Sequence, residues 1–181
     1  MTLQKSFLRI VFLSLLFALG SVANAQYKID LQVNGLRDSS IIFGYYFGEG
    51  RYVQDTAKLD ARGHATLKRD SSLAKGLYLF LLPTGESLDL LIGDQQKFTF
   101  SADLRNTQKV EGASLSQAFL DFQTFMGRMQ QKGEKVRKED SIVRALPADD
   151  PTAEKRREEI RDKYKELDVE VKNYHKTLLE K

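Results

Sequence analysis

Between Leu115 and Leu178 apolar residues recur with a period of seven in two successive runs, and this repeat limits what the chain can become more than any other stretch. In the first run they fall at Leu115, Phe119, Phe122, Met126, Met129, Val136 and Val143, with Gly133 and Asp140 filling two slots. In the second they fall at Ala153, Ile160, Tyr164, Leu167, Val171, Tyr174 and Leu178, with Arg157 in the odd slot. Steps of four and three line one side of a helix that is wound on a partner. Ala145–Pro151 carries two prolines and separates the runs. The pattern predicts an antiparallel hairpin with helices over about 114–145 and 151–180.

The exceptions to the repeat select a register. Folding the runs together places Phe119 against Leu178, Met126 against Val171, Gly133 under the Tyr164 ring, and Asp140 against Arg157. The expected seam is therefore Phe119, Phe122, Met126, Gly133, Asp140, Arg157, Tyr164, Val171, Tyr174 and Leu178. Ser114 with Gln117 reads as a capping box, and Asp150 before Pro151 as an N-cap with proline at the first helical position. Rings as large as Phe122, Phe125, Tyr164 and Tyr174 overfill a two-helix seam. A protein partner is expected to cover them: a thioredoxin-like domain, the strand region, or a second hairpin through self-association.

At the other end, residues 1–25 read as a signal peptide. Lys5 and Arg9 open it, an apolar run follows over Ile10–Leu19, and Ala23-Asn24-Ala25 supplies a cleavage site. The apolar run is too short to span a bilayer, so stable membrane insertion after cleavage is not expected and the protein should reach the periplasm or cell envelope. The chain has no cysteine, which removes disulfides, thiol chemistry and sulfur ligation of metals. The formal charge of +3 falls to +1 once Lys5 and Arg9 are gone. That balance gives no electrostatic case for binding nucleic acid. Lys132–Lys138 and Lys155–Lys165 are interleaved with acids and read as solvated helix faces.

From Tyr27 to Gly112 the composition is that of a β-domain, rich in Tyr, Phe, Leu, Ile and Gly with frequent turn residues. Strands are expected at Tyr27–Val33 with Leu36 at its far end, Ser40–Phe47, Arg51–Leu59, His64–Lys68, Gly76–Leu82, Ser87–Ile92, Lys97–Ala102 and Gln108–Val110. Seven or eight short strands joined by tight turns favour an antiparallel β-sandwich. The fold class is thus α+β: residues 26–112 as sandwich, 113–181 as helical hairpin.

Several residues in this region carry a resemblance. Tyr52-Val53-Gln54-Asp55-Thr56-Ala57-Lys58, Asp60, Gly63, Gly76-Leu77-Tyr78, Leu82-Pro83, Leu91-Ile92-Gly93-Asp94-Gln95-Gln96, Phe98 and Val110-Glu111-Gly112 occur in an order and spacing that resembles a known module. It is similar to the β-sandwich domain of unknown function, with its helical continuation, that precedes the thioredoxin-like domain of secreted redoxins of the TlpA type, related to the AhpC/TSA group. The similarity runs from Tyr27 to at least Met126. It implies an exported accessory segment that positions or pairs a thioredoxin-like domain. The C-x-x-C pair of such redoxins has no counterpart in these 181 residues, so no redox residue carries over.

No catalytic constellation, cofactor motif or metal-ligand set is evident. His64 and His175 lack partners at ligand spacing, and Glu86, Asp89 and Asp94 read as turn carboxylates. One surface remains as a ligand candidate, the aromatic group Tyr45, Tyr46, Tyr52 and Tyr78 beside Phe47 and Phe80. Alternate members of each strand point inward, and those left outside would stack on a sugar or a peptide. The expected function is a non-catalytic interaction module, with a periplasmic glycan- or peptide-binding sandwich as the alternative.

Overall fold

A computed structural model describes residues 26–103, 107–147 and 149–180. The proposed signal peptide, residues 1–25, lies outside the described residues. Eight strands precede two helices: β1 (Tyr27–Asn34), β2 (Ser40–Phe47), β3 (Gly50–Lys58), β4 (His64–Arg69), β5 (Gly76–Leu81), β6 (Ser87–Ile92), β7 (Lys97–Asp103), β8 (Gln108–Glu111), α1 (Ser114–Arg144) and α2 (Ala153–Leu179). The chain divides into two compact units, Met1–Ser116 and Gln117–Lys181.

The strands form two four-stranded sheets with orders β4-β1-β7-β8 and β3-β2-β5-β6. One pairing departs from the antiparallel expectation: β1 inserts between β4 and β7 and runs parallel to β7. Alternation explains the layering. In β1, Tyr27, Ile29, Leu31 and Val33 are buried while their neighbours face out, and Phe98, Phe100 and Ala102 do the same on β7. The inner faces meet where Phe80 of one sheet lies 4.9 Å from Phe100 of the other. β5 is internal to its sheet, between β2 and β6, and buries Tyr78, Leu79 and Phe80 in succession. A polar tie joins the sheets at their margin, where Asp55 of β3 accepts hydrogen bonds from the Tyr27 hydroxyl and from Arg69 Nε.

Turn chemistry sets the connections. Asp60 Oδ1 accepts from the backbone N–H groups of Arg62 and His64. Gly63 adopts φ +80° there, and a Cβ on it would lie 2.4 Å from the Val33 carbonyl oxygen. The polar residues of Asp94-Gln95-Gln96 hold two segments, the β4–β5 connection and the start of α1. Asp94 pairs with Lys75, Gln96 bonds both the N–H and the carbonyl of Leu73, and Gln95 Oε1 accepts from the N–H and hydroxyl of Ser114. Gln95 thereby takes the part expected of Gln117, whose Nε2 donates to Asp121. Ser116 adds a 2.6 Å bond to the Leu91 carbonyl. These bonds tie the first turn of α1 to the strand unit, and the division between units falls after it.

In the second unit the helices end within two residues of the expected limits. Asp150 is not the N-cap of α2 and Pro151 is not its first residue: Asp150 Oδ1 accepts from the N–H and hydroxyl of Thr152, which closes the turn holding Pro151, and α2 starts at Ala153 with Thr152 as an N-cap that makes no side-chain bond. The helices do pair, but their register differs from the one expected. Phe125 stacks on Tyr174, Lys132 bonds Glu170, Glu139 pairs with Lys163, and Val136, Val143 and Ile160 form a buried cluster flanked by Leu146 and Leu167. Gly133 does not sit under Tyr164: a Cβ at Gly133 would meet nothing within 4 Å, and Tyr164 is exposed. Asp140 does not meet Arg157: it pairs with Arg144 one turn along its own helix, and Arg157 pairs with Glu154. The observed register brings Val136, Val143 and Ile160 together and stacks Phe125 on Tyr174, and burial of such side chains outweighs exposed ion pairs. Charge acts in the same direction: the expected register would have set Lys132 level with Lys165 and Glu139 level with Glu158, whereas in the structure their partners lie five residues further on and have the opposite charge. Met126 leaves the seam for solvent, while Phe119, Phe122, Gly133, Val171, Tyr174 and Leu178 are half-buried.

Candidate functional site

The aromatic residues singled out from sequence assemble into one string. Phe47 packs edge-on to Tyr52, which stacks on Tyr45 at 5.6 Å; Tyr45 lies 6.0 Å from Tyr78, and Tyr78 stacks on Phe43, which stacks on Phe80. The cause is register. Tyr45 is directly opposite Tyr78 on one side and Tyr52 on the other, and Phe43 is opposite Phe80, so all share the inner face of β3-β2-β5. Phe43 and Phe80 lie in the core, whereas Tyr52 is 50% and Phe47 73% exposed, so the string emerges from the sandwich at the β2–β3 turn.

The four tyrosines expected to form a surface therefore have different roles. Tyr78 belongs to the core: it is 4% exposed, its hydroxyl donates to the Ala74 carbonyl, and burial, followed by Tyr45, pushes its pKa up. Tyr46 points to the opposite face and donates to Asp89 at 3.0 Å, and burial followed by this hydrogen bond and the Asp89 charge raises its pKa. Tyr45 is half-buried between Tyr52 and Tyr78, and Tyr52 presents open ring surface. Phe47 and Val53, the latter 66% exposed, complete the apolar end. The exposure of Tyr52 and Val53 follows from β3 being an outer strand, and that of Phe47 from its place at the end of β2 beside the turn, positions that spacing along the chain does not report.

The reverse face of the same sheet carries a depression of about 260 Å³ lined by Ile42, Gly44, Arg51, Val53, Leu79 and Leu81. Its floor is Gly44. Here β3 bulges, with Phe43 opposite Asp55 but Gly44 opposite Val53, leaving Gln54 as the extra residue. A Cβ at Gly44 would lie 2.7 Å from the Tyr52 carbonyl oxygen, so this approach of the strands requires glycine.

The carboxylates near the turns serve structure separately: Glu86 accepts from the Thr84 hydroxyl, Asp89 from Tyr46, and Asp94 pairs with Lys75. Among the described residues no three His, Asp or Glu side chains converge as a metal would require, and no helix is long and apolar enough to cross a membrane. The arrangement offers stacking faces, an apolar recess and unpaired strand backbone. No protein-family model and no curated protein matches the chain.

Proposed function

We propose that the protein is an exported, non-catalytic interaction module that positions or pairs a thioredoxin-like domain, as its resemblance to the N-terminal part of TlpA-type redoxins implies. The observation that carries this reading is the succession of a two-sheet domain and a helical hairpin in one cysteine-free chain, the same order of parts as in those segments. The hairpin supplies contact surface, since Met126, Ile142, Tyr164 and Val169 stay exposed along it. The test is titration of the purified chain with a TlpA-type thioredoxin-like domain, followed by calorimetry and by insulin reduction. Saturable binding with no reductase activity in the chain alone supports the reading. Absence of binding, or reductase activity without an added partner, rejects it.

The alternative, a glycan- or peptide-binding sandwich, draws on the exposed faces of Tyr52 and Phe47 beside Tyr45. Stacking on such rings contributes about 0.5–1.5 kcal/mol per contact beyond burial. Tyr52→Ala would then abolish binding on a glycan array while leaving the association with a thioredoxin-like domain intact.

A further inference from the structure

Each of the two sheets has two outer strands, and these differ in how they are protected. β4 ends in Lys68 and Arg69, and Arg69 is tied to Asp55. β8 has four residues and carries the Lys109–Glu111 ion pair. β6 has its Leu91 carbonyl occupied by Ser116 and carries Asp89. The second half of β3 is guarded by the bulge at Gln54 and by the Asp55–Arg69 tie. Gly50–Val53 has neither a bulge nor an ion pair among the described residues: it is extended, free of proline, and pairs only with β2, with Tyr52 and Val53 exposed, Phe47 beside them and Arg51 as its one charge. An open edge of this kind is a template for another strand.

We propose that this edge pairs with the same edge of a second copy of the chain, antiparallel about a two-fold axis at Tyr52, joining two four-stranded sheets into one. The occupant and register follow from the residues. In a continuous sheet, directly opposed residues share a face, and Arg51 and Val53 lie on the face opposite to Tyr52. A two-fold axis keeps the faces matched only where it passes through a residue, and one at Gly50 would run the pairing into the Gly48-Glu49 turn, which leaves Arg51, Tyr52 and Val53 as centres. Centring on Arg51 sets guanidinium against guanidinium. Centring on Val53 carries the pairing through the bulged Gln54. Centring on Tyr52 places Arg51 against Val53 of the second copy, so that the arginine stem covers an exposed valine, and sets the two Tyr52 rings together as an extension of the Phe47–Tyr52–Tyr45 string. This surface is self-complementary, as a two-fold interface requires. The inference goes beyond the adaptor reading and competes with the glycan reading for Tyr52.

Because the chain lacks cysteine, a single introduced one reports the contact directly. Tyr52→Cys, oxidised mildly, is expected to give a disulfide-linked dimer, since directly opposed strand residues come within disulfide reach. Lys68→Cys on the β4 edge should give none. Light scattering across micromolar concentrations should show the unmodified chain passing to twice its mass, and Val53→Lys, which opposes a lysine to Arg51, should hold it at monomer mass. A strictly monomeric chain, cross-linking at Lys68→Cys equal to that at Tyr52→Cys, a dimer that cysteine at 52 fails to link, or capture of a different protein by that cysteine would each overturn the proposal. Loss of glycan binding would leave these masses unchanged, which separates the two readings.

Discussion

Tyr174 lies flat against Phe125, with ring centroids 3.9 Å apart and planes within 5° of parallel. Phe125 is 3% exposed, and Phe122 flanks the same tyrosine at 6.4 Å. The contact pins the hairpin near its open end, as the Val136–Val143–Ile160 cluster does toward its closed end. Phe125→Ala should cost about 3–5 kcal/mol, the range for deleting a buried phenylalanine. A double-mutant cycle with Tyr174→Ala should return about 0.5–1.5 kcal/mol of coupling. Urea denaturation followed by circular dichroism measures both, and additive losses would mean that the rings do not interact.

Two glycines should respond in opposite directions to the same substitution. Gly44→Ala drives a methyl to 2.7 Å from the Tyr52 carbonyl and should destabilise the sandwich by about 1–3 kcal/mol. Gly133→Ala adds a methyl in open space within a helix and should stabilise by about 0.5–1 kcal/mol. Unfolding midpoints of the two variants, compared with the parent, decide the matter. A destabilising Gly133→Ala would restore the idea that a ring rests on that position.

Charge pairing across the hairpin should separate along the same lines. Glu139 with Lys163 should show about 0.2–1 kcal/mol of coupling in a double-mutant cycle, weakening with salt. Asp140 with Arg157 should show none, because each bonds within its own helix. Measurable coupling for the second pair would contradict the observed register.

Stability should decline at both extremes of pH. A hydrogen bond from Lys28 holds Asp30 below its ordinary value of 3.8, the His64 and Arg62 N–H groups do the same for Asp60, and Lys109 holds Glu111 below 4.5. A lowered folded pKa contributes stability that is complete above the ordinary value and lost as pH falls through the folded one, so the acid limb begins near pH 4. Burial, the first cause in each case, pushes Tyr27, Tyr46 and Tyr78 above 10.0. Their contribution is present below pH 10.0 and lost as pH rises toward the folded values. Urea midpoints across the pH range should trace a plateau with two falling limbs. Tyr27→Phe should make the alkaline limb shallower; an unchanged limb would remove Tyr27 from the account.

The strand boundaries were legible because strict alternation and turn residues are local signals. Tyr27, Ile29, Leu31 and Val33 report their own burial, and Asp60 with Gly63 reports its own turn. The parallel insertion of β1 was not legible, since spacing along a strand says nothing about which strand lies beside it. The candidate surface is legible only in part. Strand spacing marks Tyr45, Tyr46, Tyr52 and Tyr78 as neighbours, but the separation into core Tyr78, outward Tyr46 and exposed Tyr52 depends on pairing across strands and on the bulge at Gln54.

By itself the sequence determined that two heptad-patterned helices follow a set of alternating strands, because period and punctuation act within a few residues of each other. Only the tertiary structure decided the hairpin register and the open edge at Gly50–Val53. Gly133 and Asp140 favoured one alignment of the helices, while Lys132, Glu139 and the aromatic stack favoured another. Such competition is settled by the summed energy of contacts between residues far apart in the chain, a quantity that no single position records.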